Sequence, residues 1–270
     1  MNTIDAHIHL ELYPLTERQL ILDELTVFAI EHVVAVSMNL SSCQTTLELH
    51  RQYPVQVLPA FGFHPEQVLP AAEEMDELFA WIMLHQSAMI AVGEVGLPYY
   101  NRQATEEKGE QFELQPYIDL LERFVALAAK LGKPIILHAV YEDADMVCNL
   151  LEKHKVTQAH FHWFKGSHET VKRMIDKGYY ISFTPDIIYE EEIQQLAAVY
   201  PISQVMVETD GPWPFEGPFS GQVTHPRMLT ESIRKLAAIK GLDSEETAER
   251  IRHNTLTFYN INEKAGLNEE

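Results

Sequence analysis

The stretch Thr3-Ile4-Asp5-Ala6-His7-Ile8-His9-Leu10 decides how the rest of the chain is interpreted, because it predicts a strand with two different faces. Successive side chains of a strand point to opposite sides, so Asp5, His7 and His9 share one face and the apolar residues take the other. Neutral imidazole is a common ligand of Zn²⁺, and two imidazoles one pleat apart bind an ion from the same direction. An edge strand with its polar face in water explains the same pattern, so the interpretation depends on how the later strands end.

The chain of 270 residues is long enough to bury a sizeable core, and its 46% hydrophobic and 22% charged residues are ordinary for a soluble globular enzyme. No apolar run approaches the roughly 18 residues that span a bilayer, so we expect no membrane association. The first strand begins almost at Met1, which leaves no room for a secretory segment and predicts a cytoplasmic protein. Cys43 and Cys148 are too few for a disulfide framework, and we interpret both as buried or incidental thiols.

A net charge of −20 restricts the partners. Such an acidic surface repels nucleic-acid phosphate, and the sequence lacks the basic stripe expected of a duplex-binding protein. We therefore expect a small substrate or a single-stranded nucleic-acid end, bound locally where divalent metal ions supply a positive field. The sequence gives no indication of a protein partner.

Strands and helices alternate along the whole chain. Apolar runs predict strands at 3–10, 33–36, 55–61, 89–95, 134–138, 158–162, 179–183 and 204–209. Apolar residues at helical spacing predict helices at 16–31, 44–51, 72–86, 111–131, 142–154, 168–177, 188–200 and 226–239, with a C-terminal helical stretch from 244 to about 259. Eight strand–helix units favour a closed (β/α)₈ barrel of the TIM type, so we predict one α/β domain spanning residues 1–270.

The two longest irregular stretches, Gly96–Glu110 and Gly211–Thr224, each follow a predicted strand. In a barrel such loops lie at the catalytic face and shape substrate access. We therefore expect both stretches to border the active site.

Residues of metal-ligand type end most of the predicted strands. They are His7, His9, His64, Glu94, His138, His162 and Asp210. The carboxyl ends of barrel strands converge on one rim, which is where a barrel active site lies. Taken singly, Glu94 and Asp210 are explained equally well as helix caps, and His138 as a buried core histidine. Together, the residues favour a metal site at the carboxyl rim over a series of coincidences.

His160 shares a predicted strand face with His162, and we predict that it hydrogen-bonds a ligand rather than binding the metal itself. Asp5 shares a face with His7 and is a candidate for a similar supporting role. The remaining histidines on or beside helices are expected to be solvated. They are His32, His50, His85, His154 and His253.

A series of short motifs runs from the first strand to the last helix. The motifs are Asp5-x-His7-x-His9, Gly62-Phe63-His64-Pro65, Gly93-Glu94-Val95-Gly96-Leu97, His138, His162-Trp163-Phe164-Lys165-Gly166, Glu208-Thr209-Asp210 and Asn254-Thr255. In order and spacing this series resembles the TatD-like metal-dependent hydrolases, the TatD DNase family of the amidohydrolase superfamily. The resemblance implies a distorted TIM barrel, one or two bound divalent metal ions and, for some members, nuclease activity on DNA.

Carried over by residue, the resemblance implies a ligand set. His7 and His9 would bind a first metal, His138 and His162 a second, Glu94 would bridge the two, and Asp210 would return to the first. Two cations about 3.5–4 Å apart hold a hydroxide at neutral pH and bind both oxygens of a displacement. With Glu94 holding the cations, Asp210 would take a proton from the water and deliver it to the leaving group. Zinc is the first expectation, and Mg, Mn, Ni or Co suit the same ligands.

The sequence departs from the family where phosphate contacts are expected. Pro98, Val140 and the pair Val223-Thr224 stand where many relatives have Asp, Arg and Arg-Asn. Arginine is suited to bidentate phosphate contact, so these replacements remove two expected phosphate ligands. The remaining candidates for substrate binding are His64, Tyr100, Arg102, Trp163 and Lys165.

Three functions fit this pattern. A metal-dependent phosphodiesterase, deoxyribonuclease-like and acting on nucleic acid or nucleotides, is favoured by the resemblance. An amide or carboxylic-ester hydrolase on the same binuclear site is favoured by the missing arginines. A catalytically silent scaffold stabilised by metal is the third, and it is opposed by the presence of all six ligand residues.

Overall fold

Eight parallel strands form the centre of the protein in the order β1 to β8, as expected of a (β/α)₈ barrel. The computed structural model describes residues 1–262, so residues 263–270 of the predicted domain lie outside the described part of the chain. The strands are β1 Thr3–Ile8, β2 Ile30–Ala35, β3 Val57–Phe61, β4 Ala91–Gly96, β5 Ile135–His138, β6 Ala159–Phe161, β7 Tyr180–Phe183 and β8 Val205–Val207. The predicted fold class is confirmed.

Ten α-helices surround these strands within residues 1–262. They are α1 Leu15–Glu24, α2 Leu40–Gln52, α3 Ala72–His85, α4 Tyr99–Glu106, α5 Gln115–Leu131, α6 Asp143–Lys153, α7 His168–Lys177, α8 Glu191–Val199, α9 Leu229–Lys240 and α10 Ser244–Tyr259. In this part of the chain, no helix combines the length and apolar character needed to cross a membrane.

Several predicted helix bounds differ from the structure; the helices predicted at 44–51 and 111–131, for example, begin at Leu40 and Gln115. The first helix ends at Glu24 instead of residue 31, because a turn with Ala29 at φ 56° leads into β2. The helix predicted from residue 188 starts at Glu191, since Pro185–Ile188 forms a 3₁₀ turn. The stretch 96–110, predicted to be irregular, contains α4.

The strands separate two apolar layers. Side chains inside the barrel pack on the end of α10, and this inner group includes Ala6, Val34, Ile136, Met206, Phe258 and Tyr259. The outer layer lies between strands and helices and includes Ile8 and Leu10. The prediction that Ala6 and Ile8 share a face is therefore wrong, because the pairing of β1 with β2 is irregular between Asp5 and Ile8 and changes the alternation there.

Backbone hydrogen bonds join the first and last strands at the carboxyl rim. Asp210 N–H donates to the carbonyl of His7 at 2.9 Å, and His9 N–H donates to the carbonyl of Gly211 at 2.8 Å. The carboxylate of Asp5 accepts from the backbone N–H and the hydroxyl of Thr209. These contacts bring the two ends of the barrel sequence together beside the predicted metal site.

Candidate metal centre

The six predicted metal ligands converge at the carboxyl rim of the barrel, and all six are buried. They are His7, His9, Glu94, His138, His162 and Asp210. Glu94 from β4 lies at their centre: Oε1 is 2.7 Å from His162 Nε2 and 3.0 Å from His138 Nδ1, and Oε2 is 3.1 Å from Nε2 of both His7 and His9. On the β8 side, Asp210 Oδ1 lies 3.2 Å from His7 Nε2 and 3.5 Å from His9 Nε2.

The donor atoms fit a divalent cation. Within the described residues, Glu94 Oε2 and Asp210 Oδ1 are buried and make no hydrogen bond, although buried carboxylate oxygens normally have one. Three overlapping groups place their donor atoms within 4.8 Å of one another: His7–His9–Asp210, His7–Glu94–His162 and His9–His64–Glu94. Imidazole and carboxylate are ligands of Zn²⁺ and of other first-row divalent ions.

His64 lies close enough to the predicted ligands to be one of them. Its Nε2 atom is 3.4 Å from Glu94 Oε1, and its side chain is 8% exposed. Burial holds the pKa of His64 well below its usual range, so the ring is neutral and able to donate a lone pair. The geometry therefore makes His64 a candidate ligand as well as the predicted substrate-binding residue.

The charge on Glu94 is favoured by the surrounding rings. Burial by itself raises its pKa, but the charge of the neighbouring imidazoles, His162 above all, outweighs that effect and holds the pKa well below its usual range. An ionised carboxylate surrounded by imidazole nitrogens supplies the negative charge that a divalent cation needs. Two residues on the rim, Asp210 at φ 47° and Trp163 at φ 38°, adopt left-handed backbone conformations that are uncommon outside glycine and concentrate at functional sites.

Asp5 and His160 act at some distance from the donor atoms. Asp5 Oδ1 accepts from the backbone N–H groups of His7 at 3.3 Å and Thr209 at 3.0 Å, so it orients the backbone rather than an imidazole ring. His160 is buried inside the barrel, where its nitrogens contact Ser182 Oγ at 2.6 Å and the hydroxyl of Tyr259 at 2.7 Å. The prediction that His160 hydrogen-bonds a metal ligand is therefore wrong, because both of its ring nitrogens already have these partners.

A cavity of about 440 Å³ opens above the donor atoms. It is lined by His64, Glu66, Tyr100, Asn101, His138, Val140, His162, Trp163, Asp210, Trp213 and Pro214, which in the described part of the chain include no lysine or arginine. The predicted substrate contacts Tyr100 and Trp163 therefore lie at the cavity. Trp163 is held in place by hydrogen bonds from its backbone N–H to Glu208 and from its indole N–H to Asp186.

The structure does not bring Arg102 and Lys165 to this cavity. The guanidinium of Arg102 is held by the buried Asp143 at 2.7 Å and by Glu142 at 3.1 Å. Lys165 lines a separate surface depression beside α7 and α8. We therefore correct the assignment of Arg102 and Lys165 as substrate-binding residues. It was based on their nearness to the motifs in sequence, which does not determine the direction of a side chain.

Two glutamates that sequence reasoning did not assign to the site contact its ligands. Glu66 lies 3.5 Å from His138 Nε2, and Glu208 lies 3.6 Å from His162 Nδ1. The alternation of side chains along β8 could have indicated Glu208, because Glu208 comes two positions after Met206, which faces the barrel interior. For Glu66 the only signal was its place two residues after His64.

Comparison with known proteins agrees with this geometry. Residues 4–260 match the family model described as TatD-related DNase. A Haemophilus influenzae protein named as an uncharacterized metal-dependent hydrolase is 37% identical over 257 residues, covering 95% of this chain and 99% of the relative. Human deoxyribonuclease TATDN3 is 28% identical, covering 95% and 94%. The crystal structure of the TatD homologue YjjV from Escherichia coli has a TM-score of 0.81 at 23% identity, covering 96% of this chain and 98% of that one, which supports the fold.

A parallel β/α barrel with a histidine and carboxylate centre at its carboxyl rim defines the class of barrel metallohydrolases. Within that class, the chain belongs to the TatD-related DNase family.

Proposed function

We propose that the protein is a divalent-metal-dependent hydrolase that cleaves phosphodiester bonds in nucleotides or at single-stranded nucleic-acid ends. The observation that carries the proposal is the convergence of six buried donors, including carboxylate oxygens that make no hydrogen bond within residues 1–262, at the floor of an open cavity. The family and the name of the human relative, deoxyribonuclease TATDN3, support a phosphodiester substrate. We propose zinc as the first metal to test.

In this proposal, metal binding and proton transfer are carried out by different residues. His7, His9, His138, His162 and Glu94 would hold one or two divalent cations, which when bound lower the pKa of water and polarise the scissile group. Asp210 lies at the edge of the cavity with Oδ1 free of hydrogen bonds from the described residues, so it is placed to accept a proton from the attacking water. The same carboxyl group then returns the proton to the leaving oxygen.

The cavity favours a small or single-stranded substrate. Aromatic rings of Tyr100, Trp163 and Trp213 line it, and a nucleobase stacks on such rings without sequence preference. Because its lining among the described residues lacks lysine and arginine, only bound cations would neutralise the phosphate there. The overall charge of −20 opposes wrapping by a long duplex.

The test is hydrolysis of single-stranded DNA, dinucleotides and simple phosphodiester esters by zinc- or manganese-loaded protein, with chelator-treated protein and Asp210→Asn as controls. We expect turnover of at least one class, which the chelator abolishes and Asp210→Asn strongly reduces. Failure of the loaded protein on all three classes would contradict the proposal.

An amide or carboxylic-ester hydrolase is the second candidate, and one observation favours it. Val140, Trp213 and Pro214 give the cavity an apolar wall that suits a carbonyl substrate as well as a phosphoryl one. A panel of N-acyl amino acids and lactones tested on the same metal-loaded sample separates the two candidates. No turnover on this panel would remove the second.

A further inference from the structure

Helix α4 forms one side of the cavity without an apolar anchor of its own. It contributes Tyr100 and Asn101 to the cavity lining. All eight residues of α4 lie in the described part of the chain, and none of them is buried. Its first turn is held by Glu66, which accepts hydrogen bonds from the backbone N–H groups of Tyr100 at 2.7 Å and Asn101 at 2.8 Å.

The side of the cavity that carries Trp163 is held by apolar packing. The indole N–H of Trp163 donates to the buried Asp186 at 2.6 Å, and its ring packs on Phe215 with centroids 5.7 Å apart. Phe215 in turn belongs to an apolar cluster with Phe219 and Met228. The position of α4, in contrast, depends mainly on polar contacts.

An ion pair joins α4 to α6. Nη2 of Arg102 lies 2.7 Å from Oδ1 of Asp143 and 3.1 Å from Oε1 of Glu142, and the side chain of Asp143 is fully buried. Within residues 1–262, Arg102 Nε and Asp143 Oδ2 make no hydrogen bond. A buried pair with incomplete hydrogen bonding adds little stability, because the cost of desolvation offsets the attraction. We therefore expect its main effect to be on the orientation of α4.

We propose that the pair of Arg102 and Asp143 positions α4 for substrate binding: it fixes the rotation of the helix and thereby holds the ring of Tyr100 over the cavity. Both are positioning residues, since they act through Tyr100. The inference rests on the proposed function, because it concerns a ring that would stack on the substrate. One of its readouts needs no substrate.

Helix geometry explains how a contact on one face of α4 controls a ring on the other. Successive residues of an α-helix are about 100° apart, so Arg102 and Tyr100 lie about 200° apart around the axis. Tyr99 is on the same side as Arg102 and packs on Tyr141 with ring centroids 5.0 Å apart. When this face lies against α6, the opposite face turns Tyr100 toward His138, whose ring centroid is 6.0 Å away.

Glu66 holds only the beginning of α4. Its two hydrogen bonds go to backbone groups of the first turn, so they fix where the helix starts. A helix that is held at one end pivots about that end. The contact of Arg102 with Asp143 is the second point of attachment, and two points fix the rotation.

The experiment removes both partners together in the variant Arg102→Ala/Asp143→Ala, so that no charge is left buried alone. Alanine has the highest helix propensity, so neither helix loses its intrinsic preference. The matched control is Arg123→Ala/Asp76→Ala, which removes an exposed ion pair of 2.6 Å between α5 and α3. Hydrogen exchange of the full-length protein, followed by mass spectrometry, measures the opening of α4.

We expect amides of α4 to exchange about 10-fold faster or more in the test variant than in the wild type and in the control, while α7 is unchanged. In metal-loaded protein, KM for a dinucleotide should rise about 5–10-fold because base stacking on Tyr100 is weakened. The value of kcat should change less than about 2-fold, since the metal ligands stay in place. A general loss of folded protein would lower kcat instead.

A Tyr100→Ala background tests the route of the effect. The same double substitution should leave KM unchanged there, because the ring that it positions is absent. Wild-type exchange in α4, or a rise in KM that persists without the Tyr100 ring, would overturn the proposal.

The variant Asp143→Asn keeps the proposal testable if the double variant does not fold. It retains the shape of the side chain and an acceptor for Arg102 but removes the charge, so it should show the same changes at smaller size. Unchanged exchange in α4 of this variant would also overturn the proposal. Faster exchange in α4 with no hydrolysis of any substrate would uphold the role of the pair in holding α4 and refute only the proposed activity.

Discussion

The Nε2 atom of His138 lies 3.5 Å from Oε1 of Glu66. The same carboxylate accepts from the backbone N–H groups of Tyr100 at 2.7 Å and Asn101 at 2.8 Å, in the first turn of α4. The other nitrogen of His138 lies 3.0 Å from Glu94. Glu66 therefore links the helix at the rim of the cavity to a ring that belongs to the candidate metal centre.

We expect Glu66→Ala to weaken zinc binding by about 10-fold or more, because His138 loses the carboxylate that orients it and α4 loses two backbone contacts. Chelator competition measures the change. Glu73→Ala, which removes an exposed glutamate of α3, is the matched control and should bind zinc as the wild type does. Equal affinities in the two variants would show that Glu66 does not position His138.

We expect Asp210→Asn to lower kcat by about 10²–10⁴-fold on any substrate that the wild type hydrolyses, because the amide cannot accept the proton. The rate should be expressed per bound metal ion. This separates an effect on proton transfer from an effect of losing Asp210 as a metal ligand. Asp176→Asn, on the exposed side of α7, is the control. An Asp210→Asn variant as fast as this control would exclude Asp210 as the proton acceptor.

Tyr100→Ala should raise KM for a dinucleotide about 10-fold, since base stacking on an aromatic ring contributes about 1–3 kcal/mol. Tyr100 is half exposed at the cavity mouth and its ring packs edge-on to His138 with centroids 6.0 Å apart. Tyr100→Phe keeps the ring and should keep the wild-type KM. An equal rise in both variants would assign the effect to the hydroxyl instead of to stacking.

We expect protonation of His225 to lower the free energy of unfolding in mild acid. Burial, helped by Arg227, lowers its pKa to about 4, although Nε2 lies 3.3 Å from Glu24 and the ring packs on Phe28. A histidine whose pKa is lower in the folded state contributes stability above its unfolded value of 6.5, and this stability is lost as the pH falls toward 4.

His225→Asn keeps a side-chain acceptor for the N–H of Arg227 and should remove this pH dependence. Denaturant unfolding between pH 7 and pH 4.5 should show the variant losing about 1–2 kcal/mol less than the wild type, allowing for solvent screening. Parallel pH profiles for the two proteins would contradict the assignment.

The regular parts of the fold were predictable because their apolar patterns are strong. The last helix, predicted at 244–259, has those bounds in the structure, and the strand ends that carry His7, Glu94 and Asp210 meet as barrel geometry requires. In contrast, α4 has no buried residue, so it leaves no periodic signal in the sequence.

The directions of individual side chains could not be predicted from the sequence. Arg102 stands near the motifs, but the buried Asp143 attracts its charge away from the cavity. Glu66 belongs to the site through contacts with residues far along the chain, which no local pattern reports.

The central claim is that these donors bind divalent metal. Its most direct test is elemental analysis of purified protein after exposure to zinc and dialysis, comparing wild type with Glu94→Ala. We predict one or two tightly held ions per wild-type chain and a clear loss in the variant, because Glu94 contacts four of the histidine donors. A wild type that retains no metal, or a variant that retains as much as the wild type, would contradict the account.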